Sequence, residues 1–251
     1  MTEATIKPLA VTVLLLTALG CTSIHESDYV NGPDYVPANV YEIQLPPEVR
    51  RVAILPLSSA RRDQNHLEGV KISEPLLRRE LSARQAFESR SVPAAWLKRH
   101  TGKSHWRADE PLPPELLSLL ESRYGCDAVL FAHLTEYHPY PPIRMGWNLK
   151  LVQATNSAVL WSVDEIFDAS RQEVVNSARR YYKGHEWGIR TVGNSRAILD
   201  SPRRFAMYTL HQMIRTLGKP EVSTTVSPAN AEEVSSGSSS ITKTSRLPGK
   251  E

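Results

Sequence analysis

The stretch from Ile143 to Phe167 restricts this chain more than any other. In IRMGWNLKLVQATNSAVLWSVDEIF apolar and polar residues alternate, so Ile143, Met145, Trp147, Leu149 and Leu151 point one way while Arg144, Asn148 and Lys150 point the other. Thr155-Asn156-Ser157 supplies turn chemistry between the two halves, and an antiparallel hairpin is predicted. One face of such a hairpin must be covered by another layer and the other can stay wet.

The remaining elements show what the covering layer is. RRVAILPLSS holds an apolar run from Val52 to Leu57, broken only by Pro56, as expected of a central strand whose ladder ends at the proline. Ser73-Glu74-Pro75 predicts a helix start, with Leu76, Leu77 and Leu81 on one face. FESRSV reads as a short strand, PAAWLKRH as a helix ended near Gly102, and KSHWRADEPLPP as a loop. PELLSLLESRYG is a helix stopped by Gly125, and DAVLFAHLTEY is a strongly apolar strand. After the hairpin, Ser170-Arg171-Gln172-Glu173 has capping-box spacing before a helix carrying Val174, Val175, Ala178 and Tyr181. Ser201-Pro202 opens a last helix with Ala206, Leu210, Met213 and Leu217 on one stripe, and Gly218 and Pro220 end it. The expected fold is therefore α/β, a mixed sheet of about five strands with an antiparallel hairpin, flanked by helices.

The ends of the chain have a different composition. LLLTALGCTS, residues 14 to 23, closes an apolar run of signal-peptide length, too short to span a bilayer. Ala18-Leu19-Gly20-Cys21 resembles the lipobox of bacterial lipoproteins, although Ala18 stands where that motif most often has leucine. The resemblance implies a signal peptide over 1–20, removed in the mature protein, and a lipid-modified Cys21 carrying palmitate-type chains. Each buried methylene contributes about 0.8 kcal/mol, so several acyl chains hold a protein to a membrane without a span. Thr22 in place of aspartate implies, by the same resemblance, the outer membrane, with the domain facing the periplasm. Residues 21–48, rich in scattered Pro, Asn, Gly and Asp, read as a flexible tether on which Tyr35, Val36 and Tyr41 are apolar enough to dock. The α/β domain then covers 49–218, and the Ser/Thr/Gly/Pro-rich residues 219–251 make a disordered tail.

Together, RRVAILPL, GCDAVLFAHLTEY and WNLKLVQATNSAVLWS resemble a group of envelope proteins. It includes the curli-secretion lipoprotein, the lipoprotein activators of penicillin-binding proteins and the N-terminal domain of TolB. EIFDASRQEVVNSARRYY with SPRRF looks like a narrower set of Gram-negative envelope lipoproteins. The likeness extends over roughly residues 50 to 217 by pattern. It implies a lipid-anchored binding or scaffold protein acting by contact with an envelope protein in assembly, cell-wall synthesis or secretion, with homo-oligomers within reach. An oligomeric export component and an envelope hydrolase with a non-local active site are the alternatives. The polar face of Arg144, Asn148 and Lys150 does not suit a membrane barrel strand.

Chemistry has no local signature here. A net charge of +3 is too small for a nucleic-acid footprint, and no cofactor motif or catalytic residue is identified. His100 with His105, and His133 with His138, have spacings seen in zinc sites but lack a cysteine pair or carboxylate at motif distance, so no metal is expected. His133 reads as a strand histidine hydrogen-bonded at a sheet edge or surface. Cys126, at the mouth of an apolar strand, reads as a buried inert thiol. The arginine pairs 179–180 and 203–204 read as solvated helix faces. The loop TEYHPYPPIRMGW offers Tyr137, His138, Tyr140 and Arg144 as a stiff aromatic contact patch for a partner, or as a turn whose tyrosines cover the sheet end.

Overall fold

The computed structural model describes residues 34–42, 45–185 and 195–218. The predicted signal peptide, Cys21, most of the predicted tether and the C-terminal tail lie outside these residues. Helices pack on both faces of one mixed sheet, as the α/β reading expects. The strands are β1 (Asn39–Glu42), β2 (Arg51–Ile54), β3 (Ser58–Ser59), β4 (Glu88–Ser91), β5 (Ala128–His138), β6 (Arg144–Gln153) and β7 (Val159–Asp168). The helices are α1 (Gln64–Arg84), α2 (Ala94–Thr101), α3 (Leu116–Tyr124), α4 (Gln172–Gly184) and α5 (Pro202–Arg215), with a 3-10 turn at Ser195–Ile198. The sheet order is β1-β7-β6-β5-β2-β4, with β3 also paired to β5, which makes seven strands where about five were expected.

The two extra strands come from segments too short and too polar to show a period. Pro56 ends β2, as expected of a residue without an N–H, and the chain rejoins β5 two residues later as β3. At the opposite edge, β1 pairs antiparallel with β7, Tyr41 opposite Ser162. The reading of 21–48 as a flexible tether is thus corrected for its described part: Asn39–Glu42 is an edge strand and Leu45 is buried in the core. Backbone pairing with β7 and burial of Val40 and Leu45 offset the cost of ordering this polar segment.

Helix α1 begins ten residues before the Ser73-Glu74-Pro75 start predicted for it. Asp63 caps it, accepting the His66 N–H at 2.9 Å, and Pro75 lies inside. The proline is tolerated because it and Lys71, whose carbonyl loses its helical partner, are both exposed to water. The inward stripe of α1 runs His66, Gly69, Ser73, Leu76, Leu77, Leu81, so its first half buries residues that carry no apolar signal. The capping box proposed at Ser170 does not form either. Arg171 is the N-cap without a side-chain bond, while the Ser170 N–H is held by Asp168 at 2.8 Å. Helix α3 ends as expected, with Gly125 at φ +58°, a left-handed position that glycine adopts without steric cost.

Helices α1, α4 and α5 cover one face of the sheet, and α2, α3 and the loop around Trp106 cover part of the other. The first layer is fastened by two matching contacts. Trp147 of β6 donates its indole N–H to Thr209 at 2.9 Å, and Trp161 of β7 donates to Thr216 at 3.0 Å. Each threonine hydroxyl in turn donates a hydrogen bond to a carbonyl three residues earlier, Ala206 or Met213. Gly146 sits where β5 bulges between Leu134 and Glu136, and a Cβ there would collide with Thr135 and Glu136.

Candidate functional site

The four residues proposed for partner contact lie in and beside the β5–β6 loop, Tyr137 and His138 at the end of β5, Tyr140 in the loop and Arg144 at the start of β6, and the structure separates them. Tyr137 is buried, packed so tightly on α1 that a Cβ at Gly69 would lie 2.9 Å from its ring. Its phenol is pushed above its ordinary range by burial. Tyr137 is therefore part of the core and is withdrawn from the contact patch, because the bulge between Leu134 and Glu136 shifts the strand's alternation and brings it to the same side as Leu134, toward α1. His138, Tyr140 and Arg144 are exposed, Tyr140 at 62%. His138 and Tyr140 meet edge to face at 6.0 Å, and Arg144 lies 3.5 Å from Glu136 and 3.9 Å from Asp168.

A broader surface opens beside this loop. The helices α2 and α3 cover β2 and β5, leaving one face of β6, β7 and β1 without a helix among the described residues. Register places Asn39, Tyr41, Asn148, Lys150, Ser162, Asp164 and Ile166 on this side, opposite the buried Trp147, Trp161 and Val163. Tyr41 and Ile166 remain 53% and 47% exposed there. The N-terminal strand that brings Tyr41 is anchored through Glu165, which accepts the Tyr35 hydroxyl at 3.0 Å and the Ala38 N–H at 2.8 Å. Asp34 pairs with Arg180 and Arg215, each at 3.3 Å. Arg179 donates to Ser195 and Arg204 to the Ala197 carbonyl, so of the four arginines read as solvated faces only Arg203 is an exposed residue.

The histidines proposed as zinc-like pairs do not converge. His100 stacks on Trp96 at 4.3 Å and bonds its carbonyl at 2.8 Å, while His105 bonds Ser104 at 2.8 Å. His138 is at the exposed loop. Among the described residues no three His, Cys, Asp or Glu side chains gather as metal ligands. His133 is hydrogen-bonded, as expected, but inside the sheet and buried instead of at an edge, because β3 covers it. Ser58 donates to the Ala132 carbonyl at 3.1 Å and so accepts from His133 Nδ1 at 2.8 Å, which leaves Nε2 as the bare nitrogen. Cys126 is buried, and desolvation pushes its thiol up to about 11.

A crevice was not foreseen from the sequence. It has a volume of about 540 Å³ and lies beyond the carboxyl end of β2, between the β3–α1 link and the loop after α2. Chain leaving β2 turns to one face of the sheet while the link from β4 to β5 crosses the other, and such a divergence leaves a gap at the carboxyl ends of parallel strands. Its walls carry Arg61, Arg62, Lys103 and Arg107 against one acid, Glu110. The available signal was Arg61-Arg62 placed just after a strand end.

Burial holds the His133 imidazole below its ordinary value, and Arg107 adds to the effect. Desolvation does the same to His105, opposed by Glu74 and assisted by Arg62. The unfolded chain therefore takes up protons near 6.5, where the folded chain does not. This contribution to stability is complete above that value and is lost as pH falls below it toward the folded value, at no more than about 1.4 kcal/mol per pH unit for the buried His133; His105 is exposed, and solvent screening makes its share smaller. Melting followed between pH 8 and pH 5 should show Tm declining on the acid side, with a shallower decline in His133→Asn. A flat profile would contradict the buried neutral histidine.

No family model matches the chain, and no curated protein matches it. Among solved structures the chain is similar to a PelC dodecamer from Paraburkholderia phytofirmans, at 14% identity over 72% of this chain and 97% of that one, with a TM-score of 0.43. It is similar to lipoprotein GNA1162 from Neisseria meningitidis at 20% identity, covering 47% and 79% of the two chains, with a TM-score of 0.34. TolB from Acinetobacter baumannii, whose N-terminal domain the sequence motifs resemble, matches at 15% identity over 58% of this chain and 30% of that one, with a TM-score of 0.30.

Proposed function

We propose that this chain is an envelope lipoprotein, tethered to the outer membrane through Cys21 and facing the periplasm, that works by protein contact and without catalysis. The observation that carries the contact is the sheet face of β6, β7 and β1 that no helix among the described residues covers. It mixes large apolar groups, Tyr41 and Ile166, with Asn39, Asn148, Lys150 and Asp164, the composition of a surface that associates with a partner and also tolerates water. The lipobox motif at Ala18–Cys21 supports the tether. A thiol raised by burial and a serine hydroxyl committed to a strand carbonyl support a binding role over a nucleophilic one.

In cells given labelled palmitate, the wild-type chain should be labelled and Cys21→Ala should not; label persisting in that variant would refute the tether. Photo-crosslinking from position 164 in whole envelopes should capture a discrete protein, and Tyr41→Glu with Ile166→Glu should reduce capture at least tenfold while the chain stays folded. Capture unchanged by both substitutions would refute this face. The Ser58–His133 pair is the one observation favouring hydrolysis. Covalent labelling of Ser58 by a fluorophosphonate would establish that second reading, whereas the hydroxyl's bond to Ala132 predicts none.

A further inference from the structure

The crevice at the carboxyl end of β2 has an electrostatic character that the proposed contact face does not use. Four cationic side chains line it against Glu110 alone, and their pairing is uneven. Lys103 is held by Glu110 at 2.9 Å, and Arg107 is paired with Asp109. Arg61 and Arg62 make no ion pair or side-chain hydrogen bond among the described residues, and both are exposed at the crevice wall. Two adjacent unpaired guanidiniums repel each other. Leaving both without an ion pair among the described residues, with only the neighbouring capping carboxylate of Asp63 close to Arg61, maintains a positive potential that a bound anion would relieve.

Three further features define the anion. Helix α1 starts at this crevice, but Asp63 already occupies its N-terminus, so the attraction comes from the side chains and is directed to the arginine wall. Ser59 lines the same wall, and its buried hydroxyl has no partner among the described residues. Leu57, Leu67 and Val70 supply an apolar side, with room for an organic body beyond the charged group. A carboxylate needs one guanidinium fork. A tetrahedral dianion with three free oxygens uses two forks, an ammonium and a hydroxyl together.

We propose that this crevice binds a phosphate group carried on a small organic body, with Arg61 and Arg62 as its principal ligands and Lys103 and Ser59 completing the contact. The same chemistry is presented by a soluble phosphate monoester and by the monoester headgroup of phosphatidic acid. Calorimetric titration of the full chain in neutral detergent, at fixed ionic strength, separates the two sources. Inorganic phosphate, glycerol 3-phosphate and dihexanoyl phosphatidic acid are the three probes.

Saturable one-to-one binding of at least one probe is expected, weakened tenfold or more by Arg61→Ala with Arg62→Ala and unchanged by Arg203→Ala on the far helix α5. Tighter binding of glycerol 3-phosphate assigns the site to a soluble monoester, and tighter binding of the short-chain lipid assigns it to a headgroup; both support the site. Absence of saturable binding by all three probes, or equal affinity in the double alanine variant, overturns it. Both arginines lie in an exposed link outside the core, so a melting curve matching wild type verifies that the double variant is folded.

Discussion

Replacing Trp147 by alanine should destabilise the protein by about 3–5 kcal/mol, a large part of the 5–15 kcal/mol typical of a domain. Trp147 is fully buried at the centre of the sheet, and its ring fills the space between β6 and α5. Losing it removes apolar burial, leaves a cavity and deprives Thr209 of its donor. Phenylalanine at the same position keeps most of the volume and loses the N–H, so Trp147→Phe should cost only about 1 kcal/mol through the hydrogen bond, plus a smaller packing term. Urea unfolding should show the midpoint of Trp147→Ala falling with the slope unchanged. A loss below about 1 kcal/mol for the alanine variant would mean that β6 and α5 do not pack as described.

Glu165→Ala should release the N-terminal strand while leaving the rest of the sheet in place. The carboxylate accepts from Tyr35 and from Ala38, bonds that stabilise by about 1.5–3 kcal/mol each when one partner is charged. Strand β1 is four residues long, pairs among the described residues only with β7 and is otherwise mostly exposed, so its opening is local and the effect is limited by its own stability. Hydrogen exchange at the Asn39–Glu42 amides should accelerate about 10- to 100-fold, corresponding to about 1.4–2.8 kcal/mol. Amides of β5 should change little. Because Tyr41 rides on β1, partner crosslinking should fall in the same variant. Unchanged exchange at Asn39–Glu42 would show that Glu165 does not anchor the strand.

Much of the architecture was legible in the residues. The hairpin of β6 and β7, the strands β2 and β5 and the helices α2, α3 and α5 follow from apolar period, capping serine or proline, and terminal glycine, and each lies where those signals put it. The failures have particular causes. Half of the inward stripe of α1 is histidine, glycine and serine, so the helix seemed to start at Ser73. Tyr137 has the composition of a contact residue, but the bulge between Leu134 and Glu136 breaks the strand's parity and turns its ring inward onto Gly69. Strand β1 is a tetrapeptide with no period, and the segment leading into it is held by a carboxylate far along the chain, Glu165, which bonds Ala38 and Tyr35 from 127 and 130 residues away.

By itself the sequence determined the layer type, the sheet's central strands and the lipobox motif, because periodicity and local capping act over a few residues at a time. Only the tertiary structure decided which face of the hairpin stays open, where the N-terminal strand docks, and that Arg61 and Arg62 meet Lys103 and Arg107 across a crevice. Those features depend on which segments converge in space, and charge or burial created by convergence leaves no periodic trace along the chain.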